Sequence, residues 1–447
     1  MIDPELARQT VRLALEQGAT DAECTLSEGE EFSARVRMRE LEKLTDAGSR
    51  GAGLRVLVGK CVGSSHTSDL SSEGLRQMVE SALAIAAIST EDPYADLPDA
   101  SELGSLSDDL QLYSDDIRNI DTPARIQAAL ETEEAAFSWD PRITNSDGGS
   151  FKAHAGERVF ANSRGFLGSY RTSSCSISTS PVARQGETME RDYWYSSARS
   201  HSQLDTPAAV GRRAAERTVR RLGARKIPTQ NLPVIFDSVT ARSLIANIFE
   251  AVEGNSIYRK ASFLAGKLGE RVASENVTVI DDGTTPGLFG TAPFDDEGVP
   301  SRRTVVIDRG VLKSYLLNSY TARKLGMRTT GNAARGLAGN AGVGHGNFFL
   351  QKGDRSPEEI IRGIRQGLFV TELIGHGVNI VTGDYSRGAA GLWIENGEFA
   401  YPVSEITIAA NLKRMLLDVE AAGSDLEFRG SVASPTLWIR EMTVSGS

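Results

Sequence analysis

The sequence predicts an α+β fold: an N-terminal α+β domain with an antiparallel sheet, then a C-terminal strand-rich domain with a mixed sheet and few helices. Two observations point there. Hydrophobic periodicity in the first half runs helix, strands, helix, strands, helix, not the strand–helix alternation of a parallel α/β sheet. In the second half one strong helical pattern gives way, after about Lys267, to strand-like runs between glycine-rich loops. A chain of 447 residues has room for more than one domain. The expected division is 1–225 and 226–447, with a softer internal boundary near 91–120.

The first helix starts at Asp3-Pro4, a capping carboxylate followed by proline at the first helical position. Ala7, Val11, Ala14 and Leu15 continue it and Gly18 ends it. Residues 22–36 alternate like a strand, and 54–62 read as a hairpin turning at Gly59-Lys60. Ser71 or Ser72 caps a helix running through Met78 and Leu83 to Ile88. The Pro-, Asp- and Ser-rich stretch 91–107 reads as an acidic surface loop. Asp-Thr-Pro-Ala at 121–124 and again at 205–208 opens two further helices by the same cap-plus-proline logic. Between them, 143–195 reads as several antiparallel strands. Residues 226–232 look like a linker, followed by a strand at 234–236 and a helix over 239–252 that starts at Asp237 or Ser238. A short helix is expected near 320–325, and strands over 378–444 with turns at Asn396-Gly397 and Gly423-Ser424.

Composition excludes several classes of function. Lys and Arg number 49 against 59 Asp and Glu, a net charge of −10, which argues against a nucleic-acid partner. The apolar run near 82–88 is too short to cross a bilayer, so no membrane partner is expected. The N-terminus is acidic and does not resemble a signal peptide. The cysteines, Cys24, Cys61 and Cys175, are odd in number and widely spaced, which fits a reducing compartment. A cytoplasmic location is expected.

No metal motif stands out. None of the five histidines, His66, His154, His201, His345 and His376, has a second histidine within a helical turn, leaving only a site assembled from isolated histidines as an alternative. Gly383-Asp384-Tyr385-Ser386-Arg387-Gly388 comes near a nucleophile elbow but with the wrong spacing, and reads as a polar turn. Gly375-His376-Gly377 lies close by; its glycines allow a near approach of backbone to a ligand or strand, or simply a turn. Arg212, Arg213, Arg217, Arg220 and Arg221 share one helix, read as a solvated face rather than an anion patch. Asp281-Asp282-Gly283 and Asp295-Asp296-Glu297-Gly298 read as turns.

Residues 377–388 (Gly-Val-Asn-Ile-Val-Thr-Gly-Asp-Tyr-Ser-Arg-Gly), continuing through 393–397 and 401–408, with 189–193, 145–148 and 294–298, together resemble the TldD/PmbA family (peptidase U62 type, "modulator of DNA gyrase"), in its PmbA/TldE-like branch. The similarity covers nearly the whole chain. In that family the TldD-type subunit binds zinc through a helical His-Glu-x-x-x-His motif and a cysteine near its C-terminus. The matching helix here has Phe249, Glu250 and Gly254, and the C-terminal segment 428–435 has no cysteine. Phenylalanine and glycine offer zinc no lone pair. The resemblance therefore implies a non-catalytic subunit of a peptidase that cleaves unfolded peptides, with no cofactor in this chain and zinc in a TldD-type partner. It implies a heterodimer, with a homodimer as the alternative in isolation. The relic motif is Phe249, Glu250 and Gly254; substrate-binding candidates are Gly375, His376, Gly377, Asp384, Tyr385, Ser386 and Arg387. Two other readings stay open: an independent hydrolase using Ser386 with His376, and a homo-oligomeric binding or scaffold protein.

Overall fold

The computed structural model describes residues 2–446 and has the expected α+β architecture. The first half contains α1 (Pro4–Glu16), β1 (Asp21–Arg37), β2 (Glu40–Val58), β3 (Cys61–Thr67), α2 (Ser72–Ile88), α3 (Thr122–Phe137), β4 (Ile143–Asn162), β5 (Leu167–Gln185), β6 (Thr188–Arg191), β7 (Trp194–Ala198) and α4 (Pro207–Val219). Its strands form one seven-stranded sheet in the order β3-β2-β1-β4-β5-β6, with β7 also paired to β5. Every pairing in it is antiparallel.

Period-two alternation decides what each face of this sheet does. Cys24, Leu26, Phe32, Ala34 and Val36 of β1 are buried with Phe151, Ala153, Val159 and Ala161 of β4, all on one face. Helices α1 and α2 cover one end of that face through Ala7, Val11, Met78 and Val79; Ala129 of α3 and Val210 of α4 cover the other. The helices start as their caps dictate: Asp3, Ser71 and Asp121 each accept a backbone N–H of the first turn. The second Asp-Thr-Pro-Ala differs by one residue, because Thr206, not Asp205, caps α4.

The second half contains β8 (Gln230–Phe236), α5 (Ser238–Val252), α6 (Gly254–Tyr258), β9 (Val279–Asp282), β10 (Arg303–Asp308), β11 (Val311–Leu312), α7 (Ser319–Leu325), β12 (Ala333–Ala334), β13 (Gly342–Val343) and β14 (Asn347–Leu350). It ends with α8 (Pro357–Arg362), β15 (Gln366–Ile374), β16 (Asp384–Glu395), β17 (Glu398–Asn411), α9 (Leu412–Leu417), β18 (Val419–Ala422), β19 (Val432–Ala433) and β20 (Leu437–Ser445). One mixed sheet runs β17-β16-β15-β8-β20-β18, and β17 also pairs with β20, so five strands close into a ring. A second runs β11-β10-β9-β14-β19. The main core lies between ring and α5, with Val234, Phe236, Leu244, Ile248, Leu368 and Leu437 buried together.

Several expectations need correction or qualification. Asp281 and Asp282 end strand β9 and are buried, instead of forming a turn. The 295–298 segment does turn, with Gly298 at φ +82°, but Asp295 and Glu297 lie inside the protein. The supposed linker holds a core residue, Ile227, and β8 already begins at Gln230. The acidic loop 91–107 carries buried Ala95 and Leu97, and Arg164 and Arg323 both donate to the Leu97 carbonyl.

The arginine helix departs most from expectation. Arg213 is solvated, but Arg217, Arg220 and Arg221 turn inward. Arg217 lies 3.2 Å from both Asp192 and Asp237, and Arg221 pairs with Glu190 and Glu372. Asp192 and Glu190 belong to the first half, Asp237 and Glu372 to the second. Arg217 and Arg221 thus form a charged seam between the halves, which is why these two are not free for an anion, while Arg212 and Arg213 stay exposed.

Candidate functional site

The helix α5 is placed by β8, whose end at Phe236 leads into Asp237. That carboxylate caps the helix by accepting from Thr240 N at 2.7 Å. Phe249 projects from the last turn. Its ring meets His345 edge-on at 4.6 Å between centroids and Phe348 at 5.7 Å, an aromatic contact to which Phe249 itself brings no lone pair. Glu250, one residue on, is exposed and makes no hydrogen bond or ion pair. The helix stops at Val252, because Glu253 takes an extended conformation and accepts from Asn255 N and Ser256 N to start α6. Gly254 is buried against α7: a Cβ there would lie 2.5 Å from Thr321 Cβ and 3.0 Å from Leu317 Cδ2. Position 254 therefore has no room for an imidazole. These residues do not fit a zinc ion. Among the described residues, no three His, Cys, Asp or Glu side chains gather closely enough to hold a metal.

Beside Phe249 lies a cavity of about 180 Å³ lined by Asp281, Asp295, Asn332, His345, Tyr170 and Arg302, among others. His345 Nδ1 lies 2.8 Å from the Gly346 carbonyl, and burial lowers the pKa of its ring. Asp281 accepts from Asn332 Nδ2 at 2.7 Å through one oxygen, while the other is buried without a partner. Burial pushes Asp281 up to about 7. Burial also raises Asp295 and Glu297, helped for Asp295 by the neighbouring Glu297 charge and for Glu297 by Glu23, although backbone N–H groups donate to both carboxylates. Glu23 keeps its charge: Arg335 and Arg55 pair with it and hold its pKa low against the opposing cost of burial. Nothing in the spacing of His345, Asp281 and Asn332 marks them as neighbours of Phe249; the glycines around His345 are the only local sign.

Residues 375–383 connect β15 to β16, and residues 384–387 open β16. Gly377 is held against the opposite strand, where Ser386 N donates to its carbonyl at 2.7 Å and any Cβ would collide with the Ser386 carbonyl. Gly375, at φ +79°, makes the turn before it. His376 and Ser386 are exposed and share no hydrogen bond, so the nucleophile–base contact of a serine hydrolase is absent from this arrangement. Asp384 accepts from Thr382 Oγ1 and Asn411 Nδ2, and these bonds lower its pKa. Tyr385 is buried, with neither its hydroxyl nor Arg387 Nε hydrogen-bonded. This hairpin and the end of α5 are separate features; the structure forms no single cluster from Phe249, Glu250, Gly254 and the Gly375–Arg387 residues.

A larger cavity, which the sequence reading missed, occupies the sheet face opposite the four helices. Its volume is about 810 Å³. The second half covers one end of that face, where Arg335 meets Glu23, and leaves the other end open. The signal was present in β5, where Ser174, Ser176, Ser178 and Ser180 alternate with buried Cys175, Ile177 and Thr179.

Family models for the PmbA/TldA metallopeptidase match in sequence order: domain 1 over residues 22–86, the central domain over 115–222 and the C-terminal domain over 229–446. The chain is 38% identical to the metalloprotease PmbA of Escherichia coli O157:H7, covering 99% of this chain and 96% of that one. It is 36% identical to the PmbA homologue of Haemophilus influenzae over 98% of this chain and 94% of that one. Among solved structures, a proposed DNA-gyrase modulator from Bacteroides thetaiotaomicron superposes with a TM-score of 0.92 at 28% identity, covering 99% and 98% of the two chains. TldE from Thermococcus kodakarensis shares the fold, with a TM-score of 0.88 at 21% identity over 99% of this chain and all of that one. The chain belongs to the TldD/PmbA family of metallopeptidases and is closely related to its PmbA/TldE members.

Proposed function

We propose that this chain is the non-catalytic subunit of a two-subunit, cytoplasmic peptidase that degrades unfolded peptides. In this reading it shapes the substrate chamber and supports a TldD-type partner that carries the zinc. The observation behind it is the end of α5: Phe249 packs on His345 and Phe348, and Gly254 is wedged against Thr321, where the family resemblance would put two zinc ligands. Glu250 remains, but with Phe249 and Gly254 at the two histidine positions no side chain beside it would hold a metal-bound water for it to activate. Nor does the exposed pair His376 and Ser386 supply an alternative nucleophile and base, since the two are not hydrogen-bonded.

The test is to co-express the chain with a partner bearing His-Glu-x-x-x-His, then measure zinc and mass on size-exclusion chromatography. One zinc per heterodimer, and none in this chain purified alone, supports the proposal. Stoichiometric zinc in the isolated chain, or no association with such a partner, overturns it.

A further inference from the structure

The open face of the N-terminal sheet is unusual in its chemistry. Strand pairing aligns its side chains into rows that cross the sheet. One row is Thr45 (β2), Ser33 (β1), Lys152 (β4), Ser176 (β5) and Ser197 (β7); the next is Lys43, Arg35, Ser150 and Ser178. All of these residues line the 810 Å³ cavity. Serine is not among the β-branched and aromatic residues enriched in strands. Here short hydroxyls make a low floor, with hydrogen-bonding groups repeating every second residue, about 6.8 Å apart along a strand. An extended peptide laid along the strands repeats its own side chains at that interval.

The charges above this floor are not balanced among themselves. Lys43 and Lys152 are exposed and make no hydrogen bond or ion pair. Arg35 is taken up by Glu42 and the Asp147 carbonyl, and Asp147 by Arg191. Glu31 is the one acidic side chain of the lining without a partner. A protein of net charge −10 thus keeps two free ammonium groups inside this 810 Å³ cavity, over a bed of hydroxyl donors. A lysine ammonium is a compact charge with three donors, suited to a carboxylate.

We infer that this face is a binding floor for extended peptides bearing aspartate or glutamate side chains, whose carboxylates pair with Lys43 and Lys152 while hydroxyls of the serine rows donate to them. The inference deepens the proposed function by giving the unfolded substrate a chemical character. The binding itself needs only this chain. The long-range field of the whole molecule disfavours anions, so a preference for acidic peptides has to come from this local surface.

The experiment measures fluorescence anisotropy of dye-labelled, unstructured peptides of equal length, one acidic, one neutral and one basic, titrated with the full-length chain at low salt. The acidic peptide is expected to bind about tenfold more tightly than the basic one. The double charge reversal Lys43→Glu/Lys152→Glu should abolish that preference. Lys313→Glu/Lys352→Glu, which changes the net charge equally at two exposed lysines of the second half, should leave it in place. Equal binding of all three peptides, or equal losses in the two double variants, overturns the inference. Acidic-peptide binding by this chain with no cleavage after a zinc-bearing partner is added would instead count against the proposed function alone.

Discussion

A β-carbon at position 254 has nowhere to go, since Thr321 and Leu317 occupy its space. Gly254→Ala should destabilise the chain by about 1–3 kcal/mol through overpacking, read as a lowered urea midpoint. For the same reason Phe249→His/Gly254→His should not recover stoichiometric zinc in metal analysis, although it restores the residue types of the motif. Asp281 makes a second prediction at this scale. Burial raises its pKa from 3.8 to about 7. Between those values the folded state holds the proton and the unfolded chain releases it, so the group costs nothing at low pH and destabilises progressively as pH rises. Asp281→Asn cannot ionise and keeps an oxygen for Asn332 Nδ2. Its stability relative to the parent should therefore improve from about pH 4 to about pH 7 and level off above that in urea unfolding; a constant difference would show that the carboxylate titrates alike in the folded and unfolded chain.

Helix α4 shows how far neighbours override sequence pattern. Arg213 and Arg217 lie one turn apart on the same helix, yet their side chains are 51% and 4% exposed. The difference comes from Asp192 and Asp237, remote acids that the fold brings to Arg217. Arg217→Ala takes the nearest cation from two buried carboxylates, leaving Asp192 only Arg221 at 3.9 Å, and should cost about 3–5 kcal/mol, whereas Arg213→Ala should stay within about 0.5 kcal/mol. Equal effects in thermal unfolding would contradict the buried seam. The same contrast explains what was legible beforehand. Caps at Asp3, Ser71, Asp121 and Asp237 announce four helices, because a cap is a contact between near neighbours in sequence. The outer half of β2 was not legible: residues 40–50 are exposed on nearly every position, so the period-two signal that marks a strand is missing. Burial of Asp281 and Asp282 was hidden because a carboxylate pair beside glycine has the composition of a turn.

At the scale of the whole molecule, local pattern gives the α+β class but not the closure of the C-terminal ring, since β17 meets β20 through registers such as Thr407 with Ser445 that no local periodicity encodes. The candidate site divides in the same way. The identities of Phe249, Glu250 and Gly254 are plain in the sequence, while the packing of His345 on Phe249 and the open serine-and-lysine face appear only once distant strands are assembled. What remains is a chain with a large polar cavity and a metal motif reduced to one exposed glutamate. The most direct measurement is cleavage of an unfolded peptide by the purified chain, alone and mixed with a TldD-type partner carrying His-Glu-x-x-x-His. Cleavage in the mixture, and none by this chain alone, is the predicted result. Cleavage by the isolated chain, surviving a chelator and lost in Ser386→Ala, would contradict the non-catalytic role and move the chemistry to the hairpin between β15 and β16.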